Sequence, residues 1–513
     1  MFKKGQIDSA KKLLSFIAAR NHEEMVKASL ELLREMFGQS VAENAENNGL
    51  LRHQSILRAK DHVSYWGILA QNAPLSGTYE NFSLVVFPEE KDEPSQQLLL
   101  CFGIGTGGIT DDAERLRMPW VSRYARSLLR LVRKNGWVVD GTRTFAKDDF
   151  ADIQLPIDEP TINSLGNFAN HESLWRAYSK YLPTACVISP DDKGAWVFLA
   201  HLLLYGKFRE WKVLKAYYNI FHNELIPALV DMARPYPKIE ELVQFVRERK
   251  YVILQGPPGT GKSYLAKQVA VRLMESDKIT CDVIQFHSSF GYDDFVEGFR
   301  PDVNKDQQLY FVAHEGAFVR GLESAANGKG HLLIIDEINR GDLSRILGEA
   351  IYLLEPGESR TVRFRSGKER TMPDKFYLLG TMNTADRSIA LLDFAIRRRF
   401  AFIDVWPSAK QLDDLLATSN LTDSGKQLAK GLFAQLQSVF FELATDEDAV
   451  LQPGHTYFWA VDDGQLRRRL KYELAPLLCE YIREGRLTLA RNEINQIIDK
   501  LEDVEDTNQD RVD

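Results

Sequence analysis

The feature that most constrains the fold of this chain is a glycine-rich loop set between an apolar run and a helical pattern. Residues 251–254 (YVIL) are apolar, residues 255–263 (QGPPGTGKS) fit the phosphate-loop pattern G-x-x-x-x-G-K-[ST], and residues 264–270 (YLAKQVA) have helical periodicity. In the order strand, loop, helix, glycines let backbone N–H groups turn toward phosphate oxygens, and the positive end of the helix dipole points at them. A glycine-rich turn with a chance Lys-Ser pair is the alternative.

The loop residues have predicted roles in binding a nucleotide. Lys262 is expected to reach the β- and γ-phosphates, and the Ser263 hydroxyl to bind Mg²⁺. The predicted nucleotide-binding residues are Gly256, Pro257, Pro258, Gly259, Thr260, Gly261, Lys262 and Ser263.

Two adjacent carboxylates, Asp336 and Glu337, end a second apolar run at residues 332–335 (LLII). The carboxyl ends of parallel strands line the ligand crevice, so Asp336 is expected near Ser263, where it would hold Mg²⁺ through the water shell of the ion. Glu337 is suited to orient and activate the attacking water. Two surface acids at the end of a strand are the alternative.

A third run, residues 376–380 (FYLLG), is followed by Asn383 and then by three consecutive arginines. Asn383 can hydrogen-bond both the attacking water and the γ-phosphate, as a sensor of nucleotide state does; a turn-forming Asn is the alternative. Arg397, Arg398 and Arg399 cannot all face one phosphate in their own subunit. Arg397 or Arg398 is therefore predicted to be an arginine finger for a neighbouring subunit, and pairing with local acids is the alternative.

Five stretches of the chain carry a resemblance to a known family. They are residues 286–301 (FHSSFGYDDFVEGFRP), 335–340 (IDEINR), 382–388 (MNTADRS), 453–458 (PGHTYF) and 470–481 (LKYELAPLLCEY). The chain resembles the AAA+ ATPases over about residues 238–490, and within them the McrB-type motors of modification-dependent restriction systems. The resemblance implies a helical lid at 406–500, ring hexamers with nucleotide at subunit interfaces, and a separately encoded McrC-like nuclease that stimulates hydrolysis. It also implies that Asn383 and Asp386 sense nucleotide and that Asp386 helps to orient the finger.

Apolar runs that alternate with helical patterns after residue 238 predict an α/β fold with a parallel sheet covered on both faces. Within the amino-terminal region, the patterns predict a helix over residues 8–37 and strands at residues 82–87 and 98–102. The predicted organisation is a mixed α/β recognition or adaptor region at 1–237, an AAA+ core at 238–405, a helical lid at 406–500 and a disordered acidic tail at 501–513.

The composition of the chain excludes some classes of function. A net charge of −8 and a pI of about 5.8 exclude a global basic field, although a local basic groove stays possible. The four cysteines lie far apart, without zinc-ligand spacing, and are expected to be buried thiols in a reducing compartment. The polar start of the chain and the lack of a long apolar run predict a cytoplasmic protein without membrane contact.

Three further segments leave alternatives open. Residues 103–108 (GIGTGG) are a second phosphate site or a structural turn. Residues 115–134, in which arginines alternate with aromatic residues, are a nucleic-acid track or an amphipathic helix. Residues 358–371 predict a β-hairpin whose arginines face a central pore or solvent.

The sequence therefore predicts an AAA+ nucleoside triphosphatase that uses Mg²⁺ and ATP, with GTP possible, at the interfaces of a ring oligomer. Its predicted work is DNA translocation or remodelling in an McrBC-like anti-phage restriction system. A remodelling chaperone that acts on protein complexes and a nucleotide-gated assembly scaffold are the alternatives. The chain lacks the Asn-Lys-x-Asp base reader of classical GTPases, and for this reason ATP is slightly favoured.

Overall fold

A computed structural model of the chain describes residues 2–54, 63–68, 81–90, 93–105, 112–146, 156–303, 309–355, 360–385 and 394–502. The chain divides into two compact units, residues 1–234 and 235–513. None of the helices in the described ranges combines the length and the apolar character that a bilayer span requires.

An antiparallel sheet is the centre of the amino-terminal unit. Its strands are β1 (Leu51–Gln54), β2 (Tyr65–Ile68), β3 (Asn81–Pro88), β4 (Leu98–Gly105), β5 (Phe145–Ala146) and β6 (Thr184–Ile188). They form a six-stranded sheet in the order β1-β2-β3-β4-β6-β5. The strands predicted at residues 82–87 and 98–102 are confirmed as the pair β3 and β4, in which Val85 lies opposite Cys101.

Helices cover both faces of this sheet. Side chains alternate along a strand, so Val85 and Phe87 pack in a core with Trp175 on one face. On the other face Phe102 packs on His201, with ring centroids 5.1 Å apart. The region is therefore mixed α/β, as predicted, and its α-helices are Lys4–Ala18, His22–Phe37, Gln39–Asn47, Asp112–Lys134, Glu159–Asn163, Glu172–Tyr178, Asp192–Phe208, Lys215–Asn219 and Ile226–Ala233.

The prediction of one helix over residues 8–37 is wrong, because two helices share this stretch. Arg20, with φ of 54°, has a left-handed backbone that the first helix cannot continue through. The next residue, Asn21, accepts a hydrogen bond from the Glu24 backbone N–H and so caps the second helix. The apolar periodicity continues across this break and hides it.

A parallel sheet is the centre of the carboxy-terminal unit. The strands of this unit are β7 (Tyr251–Gly256), β8 (Thr280–Gln285), β9 (Glu297–Val303), β10 (Leu309–Glu315), β11 (His331–Asp336), β12 (Thr361–Arg363), β13 (Glu369–Thr371), β14 (Phe376–Asn383) and β15 (Ala401–Asp404). Five of them form the sheet, in the order β15-β7-β14-β11-β8, and every neighbouring pair is parallel. The predicted parallel α/β sheet is confirmed, and β15 is a strand that the sequence did not predict.

Most of this sheet is covered on both faces. Val252 and Leu254 of β7 pack in one core with the helix that follows the glycine-rich loop, while Ile253 packs in a second core on the opposite face. The edge strand β8 is an exception, since Val283 is 55% exposed. The α-helices around the sheet are Ile239–Arg249, Lys262–Asp277, Tyr292–Phe295, Ala317–Ser324, Leu343–Leu347 and Phe394–Arg397.

The carboxy-terminal region is helical, as predicted, and has its own apolar core. We call residues 406–502 the lid. The last helix continues two residues into the predicted tail because Leu501 is buried in the lid core, and residues 503–513 lie outside the described residues. The α-helices of the lid are Ala409–Ala417, Asp423–Glu442, Asp446–Ala449, Asp463–Arg469, Ala475–Arg483 and Arg491–Glu502.

All four cysteines lie within the described ranges and are free thiols. Cys101 and Cys186 are buried as predicted, and burial raises the pKa of the Cys186 thiol to about 12. Cys281 and Cys479 are only partly buried, which corrects the expectation for these two residues.

Candidate nucleotide site

The glycine-rich loop connects the carboxyl end of β7 to the start of the helix Lys262–Asp277. Lys262 is buried, and its Nζ atom donates to the carbonyl oxygens of Gly256 at 3.0 Å and Pro257 at 2.6 Å. A buried ammonium beside the first turn of a 16-residue helix makes the inside of the loop strongly favourable for an anion. All eight predicted loop residues thus lie in one continuous strand–loop–helix segment.

The carboxyl end of β11 brings Asp336 to the loop. Ser263 Oγ donates to Asp336 Oδ1 at 2.7 Å. A hydroxyl and a carboxylate are the hard oxygen donors that Mg²⁺ prefers when it also keeps water and phosphate ligands. The two residues predicted to hold the metal are therefore adjacent, and their chemistry fits that ion.

Glu337 and Asn383 are also brought together. Asn383 ends β14, and its Nδ2 atom donates to Glu337 Oε1 at 2.6 Å. Glu337 has a left-handed backbone with φ of 54°, a conformation that costs a non-glycine residue free energy and is concentrated at functional sites. Arg340 Nε lies 3.6 Å from the other oxygen, Glu337 Oε2. The carboxylate is thus held by an amide and a guanidinium beside the phosphate loop.

Thr381 joins these groups, and sequence reasoning gave it no role. Its Oγ1 atom donates to Asp336 Oδ1 and accepts a hydrogen bond from the Glu337 backbone N–H at 3.1 Å. The side chain is almost completely buried in β14. Its only sequence signal is a polar residue two positions before Asn383 inside an apolar strand.

The three arginines have different surroundings. Arg399 is buried and forms an ion pair with Glu355. Arg398 is exposed, and its Nη2 atom lies 3.2 Å from Glu355 Oε2. Arg397 is exposed, and its guanidinium lies 5.5 Å from the centroid of the Phe402 ring; no described acid forms an ion pair with it. The lack of an ion pair with a described acid thus distinguishes Arg397 from Arg398 and Arg399. Asp386 lies outside the described residues.

Only the family resemblance indicated residues 453–458 in the sequence, and these residues contact the phosphate loop from the lid. His455 is buried against Tyr236, with ring centroids 5.7 Å apart. Burial lowers the pKa of His455 to about 4 and raises the pKa of Tyr236, so both side chains are neutral near pH 7. His455 Nδ1 accepts from the Ser408 backbone N–H at 3.4 Å, which places the ring proton on Nε2.

The structure decides part of the alternatives for residues 115–134 and 103–108. Trp120 and Tyr124 are buried in the helix Asp112–Lys134, so they cannot stack on bases, and the amphipathic-helix alternative holds for residues 119–134. Residues 103–105 end β4, whereas residues 106–108 lie outside the described residues.

The hairpin predicted at residues 358–371 is confirmed for residues 360–371 as β12 and β13, and residues 358 and 359 lie outside the described residues. Its side chains contact their own unit: Arg365 stacks on Tyr292, at 4.1 Å from the ring centroid, and Arg370 pairs with Glu315 at 3.1 Å. These two arginines therefore have partners without a central pore.

The phosphate loop, two adjacent acids and an asparagine lie together at the carboxyl ends of a parallel sheet, and a helical lid follows the sheet. This arrangement is that of the P-loop nucleoside triphosphatases. Within that class, residues 251–400 match the family described as AAA domain (dynein-related subfamily). These residues therefore have the sequence pattern of an AAA domain, and the carboxy-terminal half of the chain is similar to the McrB type.

Two curated proteins show the similarity. The Type IV methyl-directed restriction enzyme EcoKMcrB subunit of Escherichia coli is 34% identical over 273 residues, which are 50% of this chain and 58% of that protein. The Type II restriction enzyme BsuMI component YdiS of Bacillus subtilis is 26% identical over 220 residues, 35% of this chain and 63% of that protein. The chain thus spans less than two thirds of the length of these relatives.

Among solved structures, a putative ATPase from Cytophaga hutchinsonii aligns with 51% of this chain and 78% of its own, at 13% identity and a TM-score of 0.25.

Proposed function

We propose that this chain hydrolyses a nucleoside triphosphate, ATP in preference to GTP, at the subunit interfaces of a ring oligomer, a hexamer by family resemblance. The observation that carries the proposal is the convergence of two pairs at the phosphate loop, Ser263 with Asp336 at 2.7 Å and Asn383 with Glu337 at 2.6 Å.

The residues divide the work of hydrolysis. Lys262 and the backbone N–H groups of the loop bind the β- and γ-phosphates. Ser263 and Asp336 would hold Mg²⁺, which when bound neutralises charge on the phosphate oxygens. Glu337 accepts a proton from the attacking water, and Asn383 orients the Glu337 carboxylate toward that water.

A second copy of the chain completes the site in this proposal. Arg397 is the preferred finger because it is exposed and has no ion-pair partner among the described residues, whereas Arg398 and Arg399 share Glu355. An arginine that approaches the γ-phosphate stabilises the charge that develops in the transition state. Asp386 is proposed, from resemblance alone, to orient that arginine.

The biological setting is proposed from the relatives. Both curated relatives are named as components of restriction enzymes, which supports a role in an McrBC-like anti-phage restriction system in the cytoplasm. Residues 238–405 would be the motor core and 406–500 the lid, and residues 1–237 would recognise a target or serve as an adaptor. A separately encoded McrC-like nuclease would act on DNA that the ring moves or remodels.

The test is turnover of ATP and of GTP by the full chain, with and without duplex DNA, and with Glu337→Gln as the key variant. Loss of the carboxylate should lower kcat by about 10²- to 10⁴-fold and leave nucleotide binding intact, whereas Lys262→Ala should abolish binding. Unchanged turnover in the Glu337 variant would show that another residue activates the water. Stimulation by protein substrates and not by DNA would favour a remodelling chaperone, and turnover only as slow as assembly would favour a scaffold.

A further inference from the structure

The outer side of the phosphate loop is held by residues that are distant in sequence. Three successive loop carbonyls accept hydrogen bonds from outside the loop. The donors are the Gly454 backbone N–H to Pro258 at 2.9 Å, the Thr456 backbone N–H and Oγ1 to Gly259 at 3.1 and 3.0 Å, and the Tyr236 hydroxyl to Thr260 at 3.3 Å.

The lid and the loop touch through their backbones because glycines face each other. A Cβ atom on Gly454 would lie 2.0 Å from the Gly259 carbonyl oxygen. Gly259 itself has φ of 76°, and a Cβ atom there would lie 2.8 Å from Thr456 Oγ1 and from the Tyr457 ring. A side chain at either glycine would therefore separate the lid from the loop.

Thr456 is in turn fixed to the body of the lid. Its carbonyl oxygen accepts from Arg469 Nη1 at 3.0 Å, and Arg469 Nε lies 3.1 Å from Glu473 Oε2. Two residues further on, Phe458 is buried against Phe433, with ring centroids 5.3 Å apart. The contact thus runs from the loop through Thr456 into the helices of the lid.

These carbonyl contacts bear on how the loop meets a phosphate. The carbonyl of Gly259 and the N–H of Thr260 belong to one planar trans peptide unit, so they point to opposite sides. A group that holds the carbonyl from behind keeps the N–H turned toward the inside of the loop, where phosphate oxygens bind. The same holds for the units that begin at Pro258 and Thr260.

We infer that Thr456 is a positioning residue for triphosphate binding: it fixes the Gly259 peptide in the phosphate-binding orientation and makes the loop and the lid tighten together. This inference rests on the proposed function as a nucleoside triphosphatase. Because coupling between two sites is reciprocal, a nucleotide that orders the loop must also tighten residues 453–458.

The test compares the affinity of full-length variants for fluorescent, non-hydrolysable ATP and GTP analogues. Thr456→Val removes the hydroxyl at nearly constant volume and should weaken binding about 3- to 10-fold, the effect of one hydrogen bond, with kcat changed less than about twofold. Thr456→Ser keeps the hydroxyl and should restore the affinity. Gly454→Ala should weaken binding more, since its methyl group forces the two backbones apart.

The matched control is Thr445→Val, which removes another threonine hydroxyl from the lid. Thr445 caps the helix Asp446–Ala449 by accepting from the Asp448 backbone N–H at 3.1 Å. This variant should lose some thermal stability and keep wild-type affinity.

Hydrogen exchange of the wild-type protein gives a readout that needs no variant. Backbone amides of residues 453–458 should exchange more slowly when the analogue is bound. Wild-type affinity in Thr456→Val together with unchanged exchange at 453–458 would overturn the inference. A wild-type protein that binds neither analogue would instead overturn the proposed function itself.

Discussion

The two units of this chain both pack helices on the two faces of a sheet, but they differ in the direction of their strands. In the amino-terminal unit all neighbouring strands are antiparallel, so successive strands end at opposite edges. In the carboxy-terminal unit β7, β14 and β11 are parallel neighbours and end at one edge. This edge receives the phosphate loop, Asn383 and Asp336 from three strands, which shows how strand direction alone can assemble a site.

A pair of buried threonines shows the same difference at single residues. Thr184 in β6 accepts from the Phe102 backbone N–H at 3.1 Å, inside the antiparallel ladder. Thr381 in β14 binds Asp336 and the Glu337 backbone N–H at the edge of the parallel sheet. The first hydroxyl supports the sheet, and the second supports the carboxylates of the candidate site.

The largest expected effect tests whether the parallel unit is complete within one subunit. Arg397→Ala should lower kcat about 10³-fold or more, as loss of an arginine finger does, while Arg398→Ala should have a much smaller effect because Arg398 pairs with Glu355 in its own subunit. Steady-state turnover at protein concentrations that support assembly measures both.

A mixing experiment then shows whether the arginine acts on a neighbour. Arg397→Ala and Glu337→Gln should each be nearly inactive alone. Mixed rings contain interfaces in which an intact Glu337 meets an intact Arg397, so the mixture should recover activity. A mixture that stays inactive, or an Arg397 variant with wild-type turnover, would contradict the shared site.

The next effect compares the two threonines. Thr381→Val removes two hydrogen bonds that orient Asp336 and Glu337, and should lower kcat about 10- to 100-fold, with Thr381→Ser restoring most of it. Thr184→Val should leave turnover unchanged and lower the free energy of unfolding by about 1 kcal/mol. Turnover and thermal denaturation of both variants measure this difference. Equal turnover in the two variants would show that Thr381 supports the candidate site no more than Thr184 does.

The sequence was sufficient to predict the features that follow from local patterns. The parallel sheet follows from short apolar runs between helical segments, and the proximity of Ser263 to Asp336 follows from where parallel strands end. The break at Arg20 was missed because the apolar period runs through it. The strand β15 was missed because residues 401–404 (AFID) are too short to stand out beside the arginines.

Other contacts of the site depend on tertiary arrangement, which a pattern does not contain. The role of Thr381 depends on β14 lying between β7 and β11. The contact of Thr456 with Gly259 joins residues 197 positions apart and requires the lid to dock on the loop. The choice of Arg397 over Arg398 depends on the position of Glu355.

The two units should respond alike to acid. Burial lowers the pKa of His201 in the first unit and of His455 in the second, each to about 4. A lowered folded-state pKa means that the unfolded chain binds protons more readily, so stability is fully present above the unfolded pKa near 6.5 and is lost as the pH falls toward 4. At pH 5 each histidine should lower the free energy of unfolding of its unit by about 2 kcal/mol.

Thermal denaturation between pH 7 and pH 5, with and without nucleotide, can assign the two losses. Burial lowers the pKa of His171 and His331 as well, so the test is the change that each substitution makes. His201→Gln and His455→Gln each replace the titrating ring with a neutral amide and should reduce the acid sensitivity of one transition only. Bound nucleotide should raise the midpoint temperature of only the transition that His455→Gln affects, because the phosphate loop lies in the same unit as His455. If nucleotide shifts the transition that His201→Gln alters, nucleotide binds the antiparallel unit. That result would contradict the assignment of the nucleotide site to the parallel sheet.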